Sequence, residues 1–110
     1  MNGKQLGKIT FAEFGTIKDY PFCMGLQLQF KMGGGGVGDG GKYTVNMTQN
    51  ENCKYTREEQ KEYIVENVEH LYALLKSAKC NYVSELVGKP VEIEIESNHF
   101  KGFRILTEVL

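Results

Sequence analysis

The run Gly33 to Gly41, read Gly-Gly-Gly-Gly-Val-Gly-Asp-Gly-Gly, gathers seven of the chain's 13 glycines into one segment between two stretches that alternate apolar and polar residues. Upstream, Met24, Leu26, Leu28, Phe30 and Met32 fall on one face of a strand, with Gly25, Gln27, Gln29 and Lys31 on the other. Downstream, Tyr43, Val45 and Met47 alternate with Lys42, Thr44 and Asn46. Two period-two segments flanking glycine predict an antiparallel hairpin whose tip is the glycine run, long and soft.

The remaining elements follow from the same reading. Lys8 to Phe14 is rich in β-branched and aromatic residues and predicts a first strand. Its apolar phase slips between Phe11 and Phe14, which implies a bulge near Ala12-Glu13. Thr56 and Glu59 form a capping box ahead of Ile64, Val65, Val68, Leu71, Tyr72, Leu75 and Ala78, whose spacing predicts an amphipathic helix burying that stripe. Tyr82 to Val87 reads as a short helical turn stopped at Gly88. Val91 to Glu96 alternates strictly, Ser97-Asn98 offers a tight turn, and a bulge at Lys101-Gly102 returns Phe100, Phe103 and Ile105 to one face. The order is β-β-β-α-β-β. It predicts a mainly β, α+β single domain over residues 1–110, either a five-stranded OB-like barrel or an open sheet with one long helix between strands three and four.

At 110 residues the chain can bury roughly 60 to 65% of its unfolded surface in one core without metals or disulfides. A net charge of −1 indicates neither a basic nucleic-acid-seeking surface nor an acidic tail. No apolar stretch approaches the ~20 residues of a membrane helix, and the N-terminus lacks a signal-peptide core, so a cytoplasmic setting is expected, with no membrane partner. Cys23, Cys53 and Cys80 are odd in number and lack Cys-x-x-Cys spacing, so they predict reduced thiols rather than a zinc site, and their role stays open. Asn46-Met47-Thr48 spells a glycosylation sequon without a secretory route to use it.

Catalytic and cofactor motifs fare poorly. Gly36 to Gly41 spells the dinucleotide pattern, and Gly36 to Lys42 spells a P-loop except for Tyr43 in the magnesium-ligand position. Both motifs require a helix next, and the segment that follows is β-type. His70, His99, Asp19 and Asp39 show no spacing that pairs them into a triad or metal site, so no enzyme activity, no metal and no cofactor is expected. Glu58, Glu62, Glu66 and Glu69 line the predicted solvent face of the helix, where like charges at these intervals cost about 0.2 to 0.5 kcal/mol per pair. Glu92, Glu94 and Glu96 form a second acidic row, with Lys101 placed to neutralise Glu94.

Three binding readings remain. The first is a protein contact through Glu58, Glu62, Glu66 and Glu69 together with the loop Gly36, Val37, Gly38 and Asp39. The second is a single-stranded nucleic-acid face made by Gln27, Gln29, Lys31, Lys42, Thr44 and Asn46, which lacks an aromatic platform because the aromatics alternate inward. The third is capture of a small phosphorylated ligand by the amides of Gly38 to Gly41 with Lys42.

Gly15 to Phe22, Gly38 to Tyr43, Tyr82 to Leu86 and the ending Phe103 to Leu110 together resemble small uncharacterised proteins encoded by phages and prophages of Gram-positive bacteria, over nearly the whole chain. The resemblance implies a mobile-element origin and transfers no catalytic residue. It also implies a protein partner in a nucleic-acid-handling or host-defence complex, such as a CRISPR effector, with the oligomeric state left open.

Overall fold

The computed structural model describes residues 2–49 and 53–110. Strands β1 (Gly3–Ile17) and β2 (Tyr20–Met32) form a long hairpin, followed by β3 (Gly35–Gly38), β4 (Thr44–Asn46), helix α1 (Arg57–Ser77), a 3-10 turn Val83–Leu86, strands β5 (Pro90–Glu96) and β6 (His99–Ile105), and a 3-10 turn Thr107–Val109. All six strands join one antiparallel sheet in the order β3-β2-β1-β5-β6, with β4 also paired to β2.

The mainly β class with one helix agrees with the sequence pattern, and the strand count does not. Six strands replace the expected five because the glycine run is not a soft tip throughout. Gly35 to Gly38 continue the ladder opposite Met32, Lys31, Phe30 and Gln29. Backbone pairing needs no side chain, so a glycine-rich strand leaves no period-two trace. The loop to β4 is then short and is held by Asp39 as described below.

The first strand is also longer than Lys8 to Phe14. Its N-terminal part pairs with β5, and there Gln5 and Gly7 face Ile93 and Val91 on the core side while Lys4, Leu6 and Lys8 face out. A Cβ on Gly7 would run into the Lys31 carbonyl oxygen, so close strand approach takes the place of an apolar side chain. The β1 bulge lies at Thr10, where pairing passes from Ile9↔Phe30 to Phe11↔Gln29, and not at Ala12-Glu13. The β6 bulge lies at Lys101 as expected, placing Phe100, Phe103 and Ile105 opposite Ile95, Ile93 and Val91. Ser97 and Asn98 both take positive φ, 52° and 64°, as a two-residue hairpin turn of the primed type requires.

The sheet is open but rolled. Laid flat, β2 and β6 would stand three strand spacings apart, about 14 Å. Instead the Phe30 ring lies 5.2 Å from Phe100 and 5.0 Å from Phe103, and Tyr43 meets Phe103 edge-on at 5.9 Å. Aromatic contacts thus close the concave side where a barrel would use hydrogen bonds. Ile9, Leu26, Leu28, Phe30, Val91, Ile93 and Leu86 fill that concavity together with Leu74 from the helix and its C-cap residue Ala78.

Candidate functional site

Helix α1 begins at the expected capping box, with Thr56 Oγ1 accepting from the Glu59 amide and Glu59 Oε1 accepting from the Thr56 amide, both at 3.1 Å. Its rotation differs from the expected one. Gln60, Leu74 and Ala78 are buried, with Ile64, Asn67, Leu71 and Leu75 beside them, whereas Val65 and Val68 are 55% exposed and Tyr72 is 63% exposed. The cause is polar. Gln60 Nε2 donates to the Asn46 and Thr48 carbonyls at 2.9 and 3.2 Å, and Asn67 Nδ2 donates to the Tyr43 carbonyl at 2.8 Å. Two amide side chains satisfy carbonyls along β4 and its flanks, and they turn three apolar residues outward.

Those three residues lie beside the acidic row. Glu58, Glu62, Glu66 and Glu69 are all exposed, and a shallow groove runs among Glu58, Lys61, Glu62, Val65 and Glu66. Lys61 pairs with Glu58 at 3.6 Å, and the Lys76 ammonium sits 5.4 Å from the Tyr72 ring centroid. Sequence reasoning placed the acids correctly on the solvent face and missed Val65, Val68 and Tyr72. The available signal was the interval 60, 64, 67, 71, 74, 78, which runs through Gln60 and Asn67.

On the inner side of the acids, α1 and β4 enclose a groove of about 410 Å³ lined in part by Lys42, Tyr55, Tyr63, Glu66, Asn67 and His70. The His70 imidazole stacks on Tyr43 at 4.6 Å with ring planes 7° apart. Burial, then the nearby Lys42 cation, lowers the His70 pKa, while burial and then the Asp39 carboxylate push the Tyr43 phenol up to about 12. Both rings are therefore neutral at pH 7 and serve packing. Among the described residues, the Asn67 Oδ1 is a buried side-chain acceptor without a partner, and no group of three His, Cys, Asp or Glu could hold a metal ion.

The structure separates the glycine loop from the acidic row. Gly36, Val37 and Gly38 belong to β3 at the sheet edge, and they line a different depression from the one formed by the α1 acids. Asp39 is 9% exposed, and its carboxylate accepts from the Leu28 amide at 2.9 Å and the Gly41 amide at 3.0 Å. The Asp39 and Lys42 amides are also engaged, on the Leu28 and Asp39 carbonyls. Within Gly38 to Gly41, the Asp39 and Gly41 amides are thus already engaged inside the chain, the latter by the chain's own Asp39 carboxylate.

Gln27, Gln29 and Lys31 share the convex face of the sheet, and Thr44 and Asn46 in β4 stand opposite Gly25 and Cys23. Lys42, in the turn before β4, lines the α1 groove together with Thr44 and Asn46, so the structure divides this set of residues between two surfaces. At the other edge, Lys101 is the bulge residue and Glu94 stands opposite Gly102 and Lys4. The ion pair in this row is Glu92 with Arg104 at 3.2 Å, and Arg104 continues to Glu108 at 3.2 Å. His99 is exposed opposite Glu96. No disulfide joins the cysteines, and burial raises the Cys80 thiol pKa. No helix among the described residues is long and apolar enough to cross a membrane.

Comparison with protein-family models, curated proteins and solved structures finds no match.

Proposed function

We propose that the chain is a non-enzymatic binding module that docks on a basic protein surface through the outer face of α1. One observation carries this reading: Val65, Val68 and Tyr72 are exposed in a line beside four carboxylates. A solvated structural helix gains nothing from three outward apolar side chains, whereas an interface core needs an aromatic or aliphatic anchor inside a charged rim. The rim acids steer a cationic partner, and the apolar strip supplies the area removed from water.

The phage-like resemblance suggests the class of partner, a nucleic-acid-handling or host-defence complex, and a bacterial cytoplasm as the place of encounter. Capture from host lysate identifies the partner, and calorimetry with that purified partner then tests the surface. Tyr72→Ala and Val65→Ser should each weaken binding by about tenfold or more if they are central anchors. Glu62→Lys with Glu66→Lys should slow association and reverse its salt dependence. Wild-type affinity in all of these variants, with unchanged circular dichroism, would refute this face as the docking surface.

A further inference from the structure

We infer that the convex face of β1, β2 and β3 is a binding track for a short stretch of single-stranded nucleic acid. This rests on the sheet alone and is independent of the docking reading of α1. The decisive feature is the bulge at Thr10, which brings Lys8 and Phe11 to the same face although they are three residues apart. Across the strands, Lys8 stands opposite Lys31, which stands opposite Gly36. On the next rung, Phe11 stands opposite Gln29, which stands opposite Gly38. The aromatic platform that alternation along the sequence denied to this face is therefore present, with Phe11 38% exposed.

The two lysines carry the electrostatic half of the argument. Directly opposed residues on neighbouring antiparallel strands have Cβ atoms about 5 Å apart, and like charges there repel. Lys8 and Lys31 are both exposed, neither is in an ion pair among the described residues, and Lys8 faces Pro90 on its other side. An anion between them would relieve the repulsion. The carboxylates on or beside this surface lie off the lysine rung: Glu13 stands opposite Gln27, Glu92 is held by Arg104, Glu94 faces Lys4, Glu96 faces His99, and Asp39, which lines the Phe11 depression, accepts from the Leu28 and Gly41 amides. The α1 acids belong to the helix packed on the opposite, concave side.

The shape is continuous. Three depressions share lining residues, one at Phe11, Gln27 and Gln29, the next at Gln29, Lys31 and Gly36, the last at Lys31, Lys8 and Pro90. Glycines at 36 and 38 leave bare backbone along one flank, so a ribose-phosphate chain can approach the sheet closely. Phe11 then stacks a base, Gln27 and Gln29 offer donors and acceptors to base edges, and Lys8 with Lys31 take phosphates. A duplex hides its base faces and fits none of this.

Fluorescence anisotropy of the intact protein with labelled ten-nucleotide oligothymidylate and oligouridylate tests the proposal and separates a DNA from an RNA ligand. Binding of either or both is the expected result. Two phosphate contacts predict a weakening of about 25-fold for a tenfold rise in salt. Lys8→Gln with Lys31→Gln should flatten that dependence, and Phe11→Leu should weaken binding by about 5- to 150-fold. Val65→Ser, on the far side of the molecule, should leave it unchanged. Ultraviolet cross-linking of the wild-type protein adds a readout that needs no variant, with adducts expected between residues 8 and 31. No binding at low salt, preference for duplex, indifference to both substitutions, or cross-links confined to α1 would each overturn the proposal without bearing on the α1 interface.

Discussion

If polar contacts set the rotation of α1, then Gln60 should matter more than any apolar residue the sequence pattern nominates. Gln60 is fully buried, donates to two carbonyls and accepts from Arg57 Nη1. Gln60→Leu keeps the volume and removes both donated bonds, each worth about 1 kcal/mol net. The Thr48 carbonyl retains the Tyr55 hydroxyl, whereas the Asn46 carbonyl is left with that same hydroxyl at 3.4 Å, at the weak end of the range. Adding a partly unsatisfied carbonyl and allowing for the extra apolar burial of leucine gives a loss of about 2 to 3 kcal/mol. The complementary change is Val65→Gln at a 55% exposed site, which should cost under about 0.5 kcal/mol. Were Val65 in the core, the same substitution would cost at least ~1.5 kcal/mol from lost burial alone. Urea unfolding followed by circular dichroism, with the slope of ΔG against denaturant held constant between variants, measures both. A neutral Gln60→Leu together with a damaging Val65→Gln would refute the polar account and restore the apolar stripe.

Three further outcomes follow from local geometry. Lys79 holds φ of 56° just beyond the helix, where its amide and that of Cys80 close on the Lys76 and Leu75 carbonyls, so Lys79→Gly should stabilise the protein by about 0.5 to 1 kcal/mol in the same urea assay, and a loss would refute the strain. The folded state lowers the His70 pKa below its unfolded value near 6.5, so the unfolded chain binds more protons there. Stability should hold above about pH 6.5 and fall as acid carries the pH down through the folded-state pKa. His70→Gln should remove that component of a pH series of melting temperatures, and an unchanged slope would mean the imidazole does not report this packing. Asp39→Asn replaces one acceptor oxygen with a donor facing the Leu28 or Gly41 amide and should cost about 2 kcal/mol, whereas a silent substitution would show that the β3 to β4 turn holds without it.

What could be read from the sequence was local, and what could not was set by contacts between distant segments. The capping box, the Ser97-Asn98 turn and the Lys101 bulge each depend on a few adjacent residues, and the structure places them as the pattern predicts. Strand β3 escaped because glycines at 35, 36 and 38 have no side chains to alternate, and only the facing stretch of β2 reveals the ladder. The β1 bulge was detectable as a phase slip but not locatable. A bulge anywhere between Ile9 and Phe14 changes the phase, and pairing with Phe30 and Gln29 alone fixes it at Thr10.

The same distinction decides which surfaces of the molecule are available to partners. The acids of α1 were legible because solvent exposure is the default for a carboxylate. The apolar residues among them were not, because their exposure follows from carbonyls contributed by β4 and its flanks, at a sequence separation of 12 to 24 residues from Gln60 and Asn67. Phe11 follows the same logic on the other side of the sheet, carried outward by a register set across the hairpin. Each candidate surface therefore combines charged residues that the sequence announces with apolar ones that only tertiary geometry exposes. Substitutions at the apolar positions, Val65 and Tyr72 on one face and Phe11 on the other, distinguish a functional surface from ordinary solvated charge more sharply than any charge reversal.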